Sequence, residues 1–375
     1  MTPARTAALA VTFAALSLRI GAAAADPPPT AAIRHDSFFV GGVYVEAGGQ
    51  QMMHGQMFAE MLTPEHVTHP YPLVLIHGLA QTAMNWMTTP DGREGWADWF
   101  ATHGWRVVMI DQPARGRSAW QPGIDGAVKT LPASLIQRMF TAPEDSNGWP
   151  QARLHTQWPG APEGGHIGNP IFDQFYASQV ASLGNAESER LMQQAGAALL
   201  DRIGPAVLLT HSQAGAFGWS IADARPALVK GIVAIEPMGP PYKDALFQTG
   251  ADRAWGITNI PLTYAPPVTE ASPLHFIQQP KPDAPDLAAC WSQAAPARTL
   301  PHLAGIPILI ATTEASYHAG YDHCTARYLA EAGVPNEFVR LADHGLHGNA
   351  HMLMLEKNNL EIAAFLDQWM TAHIH

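Results

Sequence analysis

Short, continuously apolar runs alternate along the chain with longer stretches that are apolar on one side only. The runs are Pro72–Ala80, Trp105–Asp111, Ala206–Thr210, Lys230–Ile235 and Pro307–Thr312, and Glu337–Leu341 reads as a last strand. A run with no polar face reads as a strand covered on both sides, as in the interior of a parallel sheet. Between and after them, Glu94–Thr102, Glu187–Arg202, Tyr317–Ala332 and Met352–Thr371 read as helices. Strand followed by helix, repeated, predicts the α/β class with a mostly parallel, doubly wound sheet. Ahead of it, Ser37–Val45 sets strand formers on either side of a Gly41-Gly42 turn, and Gln56–Met61 offers another strand. An N-terminal antiparallel hairpin is therefore expected.

Two segments, residues 119–186 and 237–302, break this rhythm and are rich in Pro, Gly and Trp. Excursions of that length in a compact domain are usually lids or caps, so both are predicted to be lid insertions. Trp120, Trp149, Trp158, Trp255 and Trp291 are the candidates for an apolar wall. At the start, Arg5 precedes the apolar run Ala7–Leu18, and Ala23-Ala24-Ala25 stands before Asp26. That is the pattern of a secretory signal over residues 1–25, leaving 26–375 as one domain. The run falls short of the roughly 20 residues that span a bilayer, so a secreted or periplasmic protein without a membrane span is expected. A formal charge of −11 gives neither nucleic acid nor an anionic membrane anything to bind. With 47% hydrophobic residues the chain can bury a full core. Cys290 and Cys324, the two cysteines, could form one disulfide or stay as buried thiols. Oligomeric state stays open.

The chemistry centres on Val207-Leu208-Leu209-Thr210-His211-Ser212-Gln213-Ala214-Gly215, where an apolar strand ends in a turn at Ser212 and small residues open a helix. A serine on a strained strand-to-helix turn projects its Oγ toward a base, and the Gln213 amide lies at the helix start where it can face an oxyanion. The stretch resembles the nucleophile elbow of α/β-hydrolases, with Thr210 and Ala214 in the glycine places of Gly-x-Ser-x-Gly. In that fold the loop at His77-Gly78 supplies a second oxyanion donor, here the Leu79 amide, and acid and histidine follow the serine in the chain. The loop 342–351 holds three histidines. His351, after the Gly348-Asn349 turn and directly before the apolar segment from Met352, is favoured over His347 and then His344. For the acid, Glu236 closes an apolar strand before Pro237, where a buried carboxylate needs a partner such as an imidazolium. Glu314, and further on Asp322, are the alternatives after the strand ending at Thr312.

Through His77-Gly78, Thr210–Gly215, Ile235-Glu236-Pro237 and Gly348–Asn358, the chain resembles exported bacterial carboxylesterases with a Ser-Glu-His triad. The resemblance implies a secreted serine esterase that hydrolyses a small or medium ester through an acyl-enzyme, with no cofactor and no metal. Lactonase, amidase or acyltransferase activity would use the same groups. A metal-dependent hydrolase is the rival suggested by 18 histidines, by His347-x-x-x-His351 and by His66 with His69, although no glutamate follows His347 as in His-Glu-x-x-His. A non-catalytic binding protein on the same fold is the other.

Overall fold

A computed structural model describes residues 32–245 and 253–375. The signal segment expected at 1–25 and part of the second insertion lie outside the described residues. The strands are β1 Ile33–Ala47, β2 Gln50–Pro64, β3 Leu73–Ile76, β4 Val107–Asp111, β5 Ala206–His211, β6 Val229–Ile235, β7 Phe276–Gln278, β8 Trp291–Gln293, β9 Ile308–Thr312 and β10 Glu337–Arg340. Eight of them form one sheet in the order β1-β2-β4-β3-β5-β6-β9-β10, while β7 and β8 make a separate ribbon. β1 pairs antiparallel with β2 and β2 with β4; the other neighbours in the sheet run parallel. This is the doubly wound sheet with an N-terminal antiparallel pair that the apolar pattern predicts, and each buried run supplies one strand.

The runs are continuous because both faces are covered. In β3, Val74 and Ile76 join one core with Leu208, Phe217 and Trp219. Leu73 and Leu75 join the opposite one with Leu209, Trp96, Phe100 and Met352. Each such side chain contributes about 1.5–3 kcal/mol on burial, so a polar residue at any of these positions is costly. Helices Asn185–Ile203 and Ala214–Ala224 pack on each other on the first side, and Trp96–Thr102 packs on Asn359–His373 on the second. No described helix is long and apolar enough to cross a membrane.

Three expectations are corrected. Gly41-Gly42 is not the hairpin turn: β1 continues through it, and the chain reverses at Gly48-Gly49, both with positive φ, as a two-residue hairpin loop requires. Gly41 instead lets the strand approach the helix Asn185–Ile203, since a Cβ there would lie 3.1 Å from Ala195 Cα. The closing helix begins at Asn359 and not at Met352. The Arg93 guanidinium takes the carbonyls of Leu355, Glu356 and Lys357 at 3.0–3.2 Å, and the segment forms a short 3₁₀ turn. Likewise Tyr317–Gly320 is a 3₁₀ turn, capped by the Ser316 hydroxyl, and the helix after it starts at Asp322. Cys290 and Cys324 form a disulfide, tying the chain just before β8 to that helix.

After β3 the chain adds β4 on one side, and β5 later enters on the other side of β3. The loops leaving the carboxyl ends of β3 and β5 therefore diverge, which opens a crevice at this switch in strand order.

Candidate active site

Ser212 sits in that crevice, half-buried, on the turn between β5 and the helix Ala214–Ala224. Its φ is +57°, a left-handed value that costs a non-glycine residue about 1–3 kcal/mol. Backbone bonds hold it there: Ser212 N donates to Ile235 O at 3.0 Å, and Ser212 O accepts from Gly215 N at 2.9 Å and Met238 N at 2.8 Å. The elbow closes without glycine at 210 or 214 because the missing space is supplied further along the helix. A Cβ at Gly218 would stand 3.0 Å from Thr210 Cγ2, and one at Gly215 would stand 2.4 Å from Pro237 Cβ.

The three loop histidines separate by environment. His344 and His347 are exposed, whereas His351 is buried. Their acids separate with them. His351 Nδ1 lies 2.6 Å from Glu236 Oε2, and exposed His347 lies 3.3 Å from Glu314. Asp322 is occupied elsewhere, 2.8 Å from His318 Nδ1. Glu236 also accepts from Thr313 N at 2.9 Å, Thr313 Oγ1 at 2.5 Å and Ser316 Oγ at 2.7 Å. Burial alone would raise this carboxyl, but the bond from His351, the nearby charge of His318 and the Thr313 bond outweigh it and hold the carboxyl far below the usual range. Burial lowers His351 to about 4, against the pull of Glu236 and with the help of His318, so at neutral pH the pair is a carboxylate beside a neutral imidazole. His318 stacks on His351 with ring centroids 4.8 Å apart. Burial disfavours its charge, yet Asp322 wins and raises it.

A carboxylate can only accept, so His351 Nδ1 carries the hydrogen and Nε2 offers a lone pair. The group bonded to Nε2 is the Tyr317 hydroxyl, at 3.1 Å. Among the described residues no hydrogen bond joins Ser212 directly to His351. Phe140, from the first insertion, stacks on His351 at 5.2 Å, and Trp149 meets the Tyr317 ring edge-on at 5.8 Å. Of the five tryptophans singled out in the insertions, Trp149 alone has a ring contact with these groups among the described residues; Trp158 is buried in the core and Trp120 is exposed.

On the other side of Ser212, the amide N–H groups of Leu79 and Gln213 have no acceptor among the described residues. The buried Arg115 ties together the two loops that meet at the serine, donating to the Gly78 carbonyl at 2.9 Å and to the Gln213 side-chain Oε1 at 2.8 Å. The Gln213 side-chain Nε2 in turn donates to Asn185 Oδ1 at 2.8 Å. Gly78 is required by crowding, because a Cβ there would stand 3.0 Å from Ser212 Cβ.

The His351 loop is clamped from the first insertion. His155 lies between Glu144 at 2.6 Å and Glu356 at 2.8 Å, and Glu356 accepts from Asn349 Nδ2 and from the Ala350 amide, next to His351. Burial disfavours the His155 cation, but Glu356 and Glu144 raise it to about 9. A raised histidine contributes stability in full below its ordinary value of 6.5 and loses it as pH rises through about 9. Replacing His155 by Gln is expected to cost about 3 kcal/mol at pH 7 and almost nothing at pH 10. Denaturant titrations of both proteins at the two pH values check this.

Two clusters have metal-ligand spacing among the described residues: Cys290, His323 and Cys324, whose sulfurs form the disulfide, and Glu236, His318 and His351, of which Glu236 bonds His351 and His318 bonds Asp322. His347, His66 and His69 belong to neither. The sequence reading missed Tyr317, His318 and Arg115. A signal was present: Ser316-Tyr317-His318 lies in the loop that follows β9, and chemistry in such sheets gathers in loops at the carboxyl ends of strands.

No family model matches the chain. A protein of Fungal sp. (strain ATCC 74256) named "Probable secreted lipase phiG" is 47% identical over 335 residues, covering 89% of this chain and 88% of its own. Among solved structures, one described as a novel bacterial esterase superposes with a TM-score of 0.59 at 21% identity, over 94% of this chain and 99% of that one, a likeness of fold. With its sheet topology and a relative matched along most of both sequences, the chain belongs to the family of that secreted lipase, within the α/β-hydrolase fold of lipases and esterases.

Proposed function

We propose that the protein is an exported serine carboxylic ester hydrolase. Ser212 is the nucleophile, His351 the base, Glu236 the acid that orients it, and the amides of Leu79 and Gln213 hold the oxyanion. The observation that carries this reading is the buried Glu236–His351 pair at 2.6 Å beside a serine on a strained turn. The neutral imidazole takes up the serine proton as Oγ attacks the ester carbonyl, and Glu236 stabilises the imidazolium that forms. Two backbone N–H groups without acceptors suit a negative oxygen, at about 3 kcal/mol for each donor. The acyl-enzyme is then hydrolysed by water with the same base. Aromatic cover from Phe140 and Trp149 beside a half-buried serine favours a small or medium ester. The lipase name of the 47%-identical relative points to the same bond type, and the word "secreted" in it supports export.

A fluorophosphonate probe should label one serine, and peptide mapping should place it at Ser212; label elsewhere would remove Ser212 from the mechanism. Because the base must be neutral, kcat/KM for a short p-nitrophenyl ester is expected to hold down to about pH 5 and to fall through about 4, the position of His351. An acid limb near 6.5 would mean that a solvated histidine is the base.

A further inference from the structure

We propose that Arg115 is a positioning residue of the oxyanion hole: its guanidinium, set against the Gly78 carbonyl without a carboxylate partner, aims and polarises the Leu79 N–H of the same peptide unit. This rests on the reading above in which Leu79 is an oxyanion donor, and it adds a cation one peptide away from the developing charge.

A trans peptide unit is rigid, and its C=O and N–H point in opposite directions. The cis bonds among the described residues all precede proline, so Gly78–Leu79 is trans. Whatever grips the Gly78 oxygen therefore sets the direction of the Leu79 N–H. Two donors grip it. Arg115 Nη1 donates at 2.9 Å. His77 Nδ1 lies at 3.1 Å, and its role is fixed by the Gln112 backbone N–H, which donates to Nε2 at 3.2 Å and leaves the ring hydrogen on Nδ1. Gln112 Nε2, also 3.2 Å from Nδ1, donates instead to the His77 carbonyl at 2.5 Å. Burial, and then the Arg115 charge, lower His77 to about 3 and keep this ring neutral. With its oxygen held from behind, the peptide turns the Leu79 N–H the other way, where no backbone acceptor meets it among the described residues.

The charge of the main anchor carries the inference furthest. Holding a carbonyl needs only a neutral donor, and a buried cation without a counterion is costly. Arg115 has no ion pair among the described residues, because Asp111, at the end of β4, is taken by the Arg117 side chain and the Ala83 amide, each at 2.8 Å. Nη2 of Arg115 donates to Gln213 Oε1 at 2.8 Å, which fastens the cation to the residue after the serine. Burial lowers the guanidinium only to about 9, so it is charged at neutral pH. A cation at a peptide oxygen draws electron density from the nitrogen and strengthens the N–H as a donor. Its field, weakly screened in a buried site, also favours negative charge on the far side of the peptide. Both effects grow with the charge on the substrate oxygen, so they stabilise the transition state more than the neutral ester.

The full-length enzyme, Arg115→Gln, Arg115→Lys and Ser212→Ala are compared on p-nitrophenyl butyrate, with melting curves to check folding. Their affinity is also measured for an alkyl trifluoromethyl ketone, which adds to a serine as an anionic hemiketal. With the leucines 15N-labelled, the Leu79 amide proton reports its bond to that anion by moving downfield. The proposal requires Arg115→Gln to lose about 10²-fold in kcat with KM within about threefold, and to lose ketone affinity by the same factor as kcat/KM. The downfield move of the Leu79 proton should shrink in that variant, and Arg115→Lys, which keeps the charge, should stay within about tenfold of the parent. Arg115→Gln turning over within about tenfold of the parent overturns the proposal. So does an Arg115→Lys protein that melts like the parent but loses more than about tenfold, a result that stands even where Arg115→Gln does not fold. A Leu79 proton that stays put in the parent would instead overturn Leu79 as an oxyanion donor, and activity in Ser212→Ala would overturn the nucleophile.

Discussion

Ser212→Ala should lose about 10⁶-fold in kcat on a short p-nitrophenyl ester while melting within a few degrees of the parent. The size follows from the lack of any substitute for the hydroxyl, since the oxyanion donors alone supply only a residual rate over water. Ser212→Gly should be equally inactive but more stable by about 1 kcal/mol, because glycine adopts φ +57° without strain and alanine does not. The pair of variants separates the chemistry of the side chain from the energy stored in its backbone. Turnover by either above about a thousandth of the parent rate would sink Ser212 as nucleophile.

The second large effect belongs to the acid. Glu236→Gln keeps the shape of the side chain, and its carbonyl oxygen, in the place of Oε1, can still accept from Thr313. The amide nitrogen would then face His351 Nδ1, which must give up its hydrogen to Nε2 and so lose the acceptor that the mechanism needs. A fall of about 10⁴-fold in kcat with little change in KM is expected. Glu314→Gln, which disturbs only a pair with exposed His347, should stay within about twofold of the parent. The reverse result would move the acid to Glu314. Glu236 also carries a stability signature. Its folded value is depressed, so its ionised form adds stability above the ordinary value of 4.5 and loses it as pH falls further. The variant should therefore melt with a flatter acid side.

Much of this architecture was legible because the buried strands advertise themselves: Leu73–Ile76 and Val107–Asp111 are apolar at every position or nearly so, and only a strand covered on both faces tolerates that. Burial logic also chose between carboxylates, since Glu236 closes such a strand and Glu314 does not. What stayed hidden was set by contacts distant in sequence. The start of the last helix was misplaced because Arg93, far upstream, takes the carbonyls that a helix from Met352 would have used. Tyr317 read as the beginning of a helix because local periodicity carries no trace of the imidazole its hydroxyl meets across 34 residues of chain. Gly41-Gly42 looked like a turn, and nothing nearby in the sequence reveals the helix against which it lies.

The crossing of β5 with the helix after Ser212 bears on how such proteins are found. Motif scans spell the elbow by fixed letters on either side of the nucleophile, and this chain fails that spelling at both places. The steric allowance has moved downstream to Gly215 and Gly218, facing Pro237 and Thr210. What the geometry conserves is the summed side-chain volume where strand and helix touch, and a search scoring that volume would retain sequences that a letter pattern discards.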